Sequence, residues 1–245
     1  MKFRTAVIAA LAMAPASCAI SGNPPGRPAP ESQVTRPDKV MDFESLYSSN
    51  CAGCHGSEGK GGAAVGLANP VYLAIADDAT IRRVVSDGVP GTAMPAFARQ
   101  SGGMLTNEQV DAIVTRIRTR WATPNVLRGL HPPPYTDPEP ADPERGPKVY
   151  AVYCSACHGV DGRGTAQAGS IVDGSFLALV SDQGLRTTVI VGRPELGAPD
   201  WRSNVPGKPM TNGDVADVVS WLISHRTDVP GQPYPNSQVT MGALP

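Results

Sequence analysis

One short motif occurs twice in this chain and contains the residue types best suited to chemistry. Each copy has two cysteines three positions apart and a histidine directly after the second: Cys51, Cys54 and His55, then Cys154, Cys157 and His158. This Cys-x-x-Cys-His spacing is the pattern of c-type haem attachment. One turn of chain presents two thiols to the vinyl groups of the haem, and the adjacent imidazole reaches the iron. The motif therefore predicts two covalently bound haems c.

Two other chemistries also use closely spaced cysteines. A zinc site would need further cysteines or a spaced pair of histidines, and the whole chain has four histidines. A thioredoxin-like dithiol does not require a histidine after the second cysteine. The presence of that histidine in both copies favours haem attachment over either alternative.

The two motifs open the two copies of an internal repeat. The stretch Cys-His-Gly-Ser-Glu-Gly-Lys-Gly from Cys54 matches Cys-His-Gly-Val-Asp-Gly-Arg-Gly from Cys157. Farther on, the segment 78–90 aligns with the segment 182–194 at a constant offset of 104 positions. Self-similarity of this kind indicates that one structural unit is repeated. The chain is therefore predicted to contain two domains of the same fold.

The fold class is predicted to be mainly α. Apolar residues recur at helical spacing before each cysteine pair, so a helix is expected to lead into each attachment turn. Middle helices are predicted near Thr80 to Ser86 and near Gln183 to Val191. Each copy then closes with a helix that begins at a capping box, at Thr106 in the first copy and at Thr211 in the second.

The chain resembles the class I cytochromes c, and specifically the dihaem members with two such domains in tandem. The resemblance rests on both attachment motifs and covers roughly residues 40–122 and 146–226. In that family the sixth iron ligand is a methionine, usually in a Met-Pro step before the closing helix, and Met94 precedes Pro95 at that place. The resemblance thus implies His55 and Met94 as axial ligands of the first haem. His/Met ligation raises the reduction potential and saturates the iron, which suits electron transfer.

The second copy departs from this pattern at the sixth ligand. The position that the offset pairs with Met94 is occupied by Ala198. Met210 is the remaining methionine of the second domain and is the candidate ligand, but it aligns with Leu105, where an apolar residue serves as a helix staple. His225 is a weaker candidate near the end of the closing helix. The sequence therefore leaves two alternatives for the sixth ligand of the second haem: Met210, or no protein ligand.

The N-terminus has the features of an export signal. Lys2 and Arg4 precede an apolar stretch from Thr5 to Ala16, followed by a polar, Pro-rich segment. This order is typical of a secretory signal peptide, and the stretch is too short to span a bilayer comfortably. The setting of Cys18 resembles a bacterial lipoprotein signal, which implies lipidation of Cys18 and a tether to a membrane surface. The alternative is cleavage nearby without lipidation.

Pro-rich segments separate the predicted domains. The predicted organisation is a signal peptide at 1–18, a tether at 19–38, a first cytochrome c domain at 39–123, a Pro-rich acidic linker at 124–147, a second cytochrome c domain at 148–228, and a C-terminal tail at 229–245. A Pro-rich linker cannot be a helix or a central strand.

These features predict an exported carrier of single electrons on the periplasmic side of a membrane. The resemblance extends to cytochrome c subunits of bacterial quinol–cytochrome c reductases, which implies respiratory-chain partners: a membrane quinol-oxidising complex, an oxidase or a soluble cytochrome. A net charge of −1 without long basic runs argues against nucleic acid. The alternative is a haem enzyme, peroxidase-like or sulfur-oxidising, or a gas-binding module, acting at a ligand-open second haem. No distal histidine lies near Ala198 in the sequence to support that chemistry.

Overall fold

The computed structural model describes Gly26 and residues 34–136, 140–203 and 205–228. The predicted signal peptide with Cys18, most of the predicted tether, and the tail from residue 229 lie outside the described residues. The described residues from Pro37 onward belong to one compact unit. In the part of the chain that is described, no helix is long and apolar enough to cross a membrane.

The described residues are mainly α-helical, as predicted, and hold two isolated β-bridges in place of a sheet. The helices of the first copy are α1 (Phe43–Asn50), α2 (Ala52–His55), α3 (Pro70–Ile75), α4 (Asp78–Asp87) and α5 (Asn107–Trp121). The second copy repeats the order with α6 (Gly146–Tyr153), α7 (Ser155–His158), α8 (Gly174–Leu179), α9 (Asp182–Val191) and α10 (Asn212–Ile223). The repeat found in the sequence is therefore a repeat of five helices within the described chain.

Both closing helices begin at the predicted capping boxes. The Thr106 hydroxyl accepts the backbone N–H of Gln109, and the Gln109 side chain accepts the backbone N–H of Thr106. Thr211 and Asp214 repeat this reciprocal arrangement at the start of α10. Each cap satisfies donors that the first turn of a helix leaves unpaired, and is typically worth about 1 kcal/mol.

In each copy the closing helix packs against the helix that leads to the cysteines. Trp121 of α5 lies against Phe43 and Tyr47 of α1, with ring centroids 5.8 and 5.2 Å apart. Trp221 of α10 lies 4.3 Å from the ring of Tyr150 in α6. These aromatic contacts fix the direction in which each attachment turn leaves its helix.

Buried hydrogen bonds join the two copies to each other and to the linker. The side-chain amide of Asn69 donates to the carbonyl of Val191 at 2.9 Å. Arg186 is 5% exposed, and its guanidinium donates to the carbonyl of Pro134 in the linker at 2.7 Å. A buried polar group needs such a partner, because leaving it unpaired is costly. The two copies are therefore held by specific contacts.

The contact between Asn69 and Val191 gives a measurable prediction. We expect Asn69→Asp to lower the free energy of unfolding by about 1–3 kcal/mol. The carboxylate still caps α3, but it replaces the donor that faces the Val191 carbonyl. The repeat supplies a matched control, since Asp173 caps α8 in the same way, and we expect Asp173→Asn to be near neutral. Equal losses for both variants in denaturant unfolding of the holoprotein would contradict this assignment.

Candidate functional site

The two cysteine motifs adopt the same backbone conformation. Cys51 ends α1 and begins α2 with φ −120° and ψ −38°, and Cys154 joins α6 to α7 with φ −122° and ψ −33°. Their backbone N–H groups donate to Tyr47 at 2.8 Å and to Tyr150 at 2.9 Å. Each attachment turn is thus a direct extension of a helix.

The cysteine thiols are not paired with each other in either motif. Cys51, Cys54, Cys154 and Cys157 are all free. Burial raises the pKa of Cys51 and of Cys154 to about 11. Burial thus favours the neutral thiol over the thiolate at both positions.

The two motif histidines have the same hydrogen bond. His55 Nδ1 lies 2.8 Å from the carbonyl oxygen of Val65, and His158 Nδ1 lies 2.8 Å from that of Gly169. A carbonyl accepts, so Nδ1 carries the proton and Nε2 is left as the lone-pair nitrogen. Histidine ligands of metals are commonly held by such a bond. Burial also lowers the pKa of His55, which favours the neutral, ligating form.

Met94 lies on the loop between α4 and α5, where the sequence placed it. Its carbonyl accepts the N–H of Val89 at 3.0 Å. Gly88 lies close to the backbone of Pro95, since a Cβ built on Gly88 would lie 2.6 Å from the Pro95 backbone carbon. The loop carrying Met94 therefore closes tightly on the end of α4. Its role as an iron ligand stays a prediction.

Ala198 occupies the backbone place of Met94 in the second copy. Its carbonyl accepts the N–H of Arg193 at 3.0 Å, the counterpart of the Val89 bond. Gly192 makes the corresponding close approach, with a Cβ position 2.5 Å from the backbone carbon of Pro199. The offset seen in the sequence is therefore confirmed in space at this loop.

Met210 occupies the backbone place of Leu105. Its N–H donates to the carbonyl of Trp201 at 2.7 Å, as that of Leu105 donates to Phe97 at 2.8 Å. Met210 and Leu105 are both 6% exposed. The structure thus places Met210 in the core directly before α10. Ligation of iron by Met210 stays a prediction.

His225 has partners of its own after α10. Its Nδ1 lies 2.8 Å from the carbonyl oxygen of Trp221, and its ring lies edge-on to the indole at 4.5 Å. These contacts account for its position without a metal. In the described part of the chain, no three His, Cys, Asp or Glu side chains form a cluster that could hold a metal ion directly.

A buried donor in the second copy fits a haem. Trp201 is 4% exposed, and its Nε1–H has no hydrogen-bond partner in the described structure. A buried donor without an acceptor is rare and costly. A haem carries two propionate carboxylates that accept such a bond. With the thiol pairs and the histidines, this donor indicates that the residues present fit the cofactor that the motifs predict.

Sequence reasoning missed the donor on Trp201. The repeat pairs Trp201 with Phe97. The change from phenylalanine to tryptophan adds one N–H, which was the available signal. Its significance depends on burial, since an exposed indole N–H is satisfied by water.

We expect Trp201→Phe to lower the reduction potential of the second haem by roughly 40 mV, the equivalent of one hydrogen bond of about 1 kcal/mol. Without the donor, propionate charge is less compensated and the ferric state is favoured. Trp221→Phe is the control, because it removes the same indole from the same copy at a position that packs on Tyr150. Spectroelectrochemistry of the two haems measures both variants. Equal shifts for the two would show a packing effect.

Two family models match this chain, one in each copy. The model described as "Cytochrome C oxidase, cbb3-type, subunit III" matches residues 38–115, and the model described as "Cytochrome c" matches residues 143–226. Each match contains one Cys-x-x-Cys-His motif with its surrounding helices.

Curated relatives extend across both copies. The cbb3-type cytochrome c oxidase subunit CcoP of Azospirillum sp. (strain B510) is 28% identical over 196 residues, covering 76% of this chain and 52% of the relative. The cytochrome bc1 complex cytochrome c subunit of Corynebacterium diphtheriae is 26% identical over 140 residues, covering 52% of this chain and 48% of the relative. The chain thus spans about half the length of these relatives. A solved structure, the Kuenenia stuttgartiensis reducing HAO-like protein complex, aligns with a TM-score of 0.43 at 20% identity, covering 79% of this chain and 100% of that one.

Proposed function

This chain is a dihaem c-type cytochrome with two cytochrome c domains in tandem, and we propose that it carries single electrons between a membrane respiratory complex and a downstream acceptor. The similar proteins are named as subunits of a cbb3-type cytochrome c oxidase and of a cytochrome bc1 complex. The proposed partners are therefore a quinol-oxidising complex, an oxidase or a soluble cytochrome.

The observation that carries the proposal is direct contact between the binding loops of the two domains. Arg193 begins the loop that leads to Ala198, and its guanidinium donates to the carbonyl of Gly62 at 2.6 Å. Gly62 belongs to the loop that follows His55. Arg193 is also paired with Glu195 at 2.6 Å, and both side chains are largely buried. A rigid contact between these loops favours electron exchange between the two centres.

Each domain contributes residues that bind and orient its haem. Haem c supplies a one-electron couple. Cys51 and Cys54 attach the first haem and His55 holds its orientation through the Val65 carbonyl. The buried setting of His55, 7% exposed, excludes water from that ligand. Met94 completes this proposed ligand set and favours the reduced state.

The second domain repeats the attachment with less protection from solvent. Cys154 and Cys157 attach the second haem, and the Gly169 carbonyl orients His158. His158 is only partly buried. This difference gives the two proposed centres unequal environments, which separates their reduction potentials.

Export and membrane attachment complete the proposal. The N-terminal segment 1–18 is proposed to be a signal peptide and Cys18 a lipidated residue that tethers the domains on the periplasmic side of the membrane. We expect Cys18→Ser to move the protein from the detergent phase to the aqueous phase in detergent partitioning. A variant that stays in the detergent phase would contradict lipid attachment.

The enzymatic alternative has weaker support at the second domain. Asp200 and Arg202, two charged residues that follow Ala198 in the sequence, are paired with each other, with Arg202 Nε 3.0 Å from the Asp200 carboxylate. A carboxylate engaged in this way is a poor general base. The structure therefore favours a carrier over a catalyst of peroxide or sulfur chemistry.

Potentiometry and electron transfer to a partner test the proposed function. The exported holoprotein is expected to contain two haems by mass and to show two one-electron transitions. The reduced protein is expected to be oxidised by membranes containing a cytochrome c oxidase. Retention of both haems without oxidation by any respiratory membrane fraction would overturn the carrier role.

A further inference from the structure

The second domain lacks a sulfur at the loop position that supplies one in the first. The carbonyls of Met94 and Ala198 accept equivalent hydrogen bonds. In each case the donor is the backbone N–H of the residue that follows the glycine at the end of the middle helix. Both loops also pass equally close to those glycines, Gly192 and Gly88. Because the backbone path is kept, the difference is confined to the side chain. A methyl group in place of a thioether cannot bind iron.

Met210 already has a structural task in the second domain. It shares the backbone bond and the burial of Leu105, which packs in the core of the first domain. The first domain uses one residue for this core position and another, Met94, for the proposed ligand. A ligand at Met210 would have to serve both tasks with one side chain. The packing therefore favours Met210 as a core residue.

The other nitrogen donors of the described second domain are also poor candidates. His225 is held against Trp221 by a hydrogen bond and by ring contact. Lys148 and Lys208 are exposed side chains. Among these candidates, His158 is the one whose ring is held by a backbone carbonyl in the same way as His55.

The charged residues close to Ala198 in the sequence are paired within the described structure, Arg193 with Glu195 and Arg202 with Asp200. Next to Ala198 stand Gly197 and Pro199, and the nearby charge of Asp200 is neutralised by Arg202. Such a loop favours a small uncharged ligand, because the described cations beside Ala198 are already paired with carboxylates.

We propose that the sixth position of the second haem is left open by Ala198 and binds a small neutral diatomic ligand. This inference rests on the proposed function in one respect, namely that haem is attached at Cys154 and Cys157. It adds a ligand-binding site to the carrier. With Met94 as its proposed ligand, the first haem is a closed centre, so the two haems have different tasks.

Carbon monoxide is the probe for the open site. The reduced holoprotein, with two haems verified by mass, is expected to bind carbon monoxide at one haem. Its oxidised form is expected to show a sulfur-to-iron charge-transfer band for one haem only. Ala198→Met is expected to abolish the binding, to add a second charge-transfer contribution and to raise the potential of the second haem.

The role of Met210 is tested without disturbing the core. Met210→Leu removes the sulfur and keeps an apolar side chain of similar volume, as at Leu105, so the domain is expected to fold. Carbon monoxide binding and the charge-transfer band are expected to be unchanged. Loss of half of the band in this variant, or a wild-type protein that does not bind carbon monoxide, would overturn the open site.

The outcomes separate this inference from the proposed function. A protein that carries two haems and donates electrons to the oxidase but binds no carbon monoxide refutes the open site alone. A protein without haem at Cys154 and Cys157 refutes both. Binding of carbon monoxide with failure to exchange electrons leaves the site standing and overturns the carrier role.

Discussion

Met94→Ala is expected to lower the reduction potential of the first haem by on the order of 0.1 V, since axial ligands set haem potentials over a range of about 0.8 V. The thioether stabilises ferrous iron, and alanine leaves the position to water or to no ligand. The oxidised variant is expected to lose the sulfur-to-iron charge-transfer band. Its reduced form is expected to bind carbon monoxide at both haems. Spectroelectrochemical titration and carbon monoxide difference spectra measure these changes.

Met104→Ala is the matched control for this substitution. Met104 lies ten positions farther along the same connection between α4 and α5, and it is 79% exposed. Its truncation is expected to leave the spectrum and both potentials unchanged. If Met104→Ala lowers the potential and Met94→Ala does not, the proposed ligand is wrong.

The features that the sequence predicted are local ones. The attachment turns need only a helix end and five residues, and the capping boxes need four. The loop pairing of Ala198 with Met94 also came from the sequence, because the glycine that ends each middle helix fixes the path of the next residues. Short-range geometry of this kind repeats wherever the residues repeat.

The features that the sequence did not predict depend on distant partners. Asn69 caps α3, and only the packed structure shows that its amide also reaches Val191. Arg186 aligns with Arg82, yet Arg186 is buried against the linker and Arg82 is paired with Asp111 on the surface. Equivalent residues have different tasks here, because one domain has the linker beside it.

In the closing helices, residues at positions that the repeat does not align make the same contacts. Arg118 donates to the carbonyls of Leu73 and Ala76 at the end of α3. Arg226 donates to the corresponding carbonyls of α8, although the repeat alignment does not pair it with Arg118. What is kept is the need to satisfy the last carbonyls of a short helix. A side chain as long as arginine meets that need from more than one position.

Gly88→Ala is expected to lower the free energy of unfolding by roughly 1–3 kcal/mol more than Gly91→Ala, the range for inserting a methyl group into a packed site. Both glycines have positive φ, +68° and +72°, so the backbone strain introduced by alanine is similar in the two variants. Only at Gly88 does the new Cβ meet backbone, 2.6 Å from the peptide that follows Met94. The loop must therefore move, and the charge-transfer band of the first haem is expected to weaken.

The second domain supplies the decisive comparison for this prediction. Gly192 makes the same close approach to its loop, and Gly197 has positive φ with open space around its Cβ position. Gly192→Ala is expected to lower the free energy of unfolding more than Gly197→Ala does. The difference is expected to equal that between Gly88→Ala and Gly91→Ala. Gly192→Ala is expected to leave the charge-transfer band unchanged, because the loop it displaces carries Ala198 and no sulfur. A loss of the band in Gly192→Ala would place a sulfur ligand on or beside that loop, and equal stability of the glycine pairs would show that the loops are not held by these contacts.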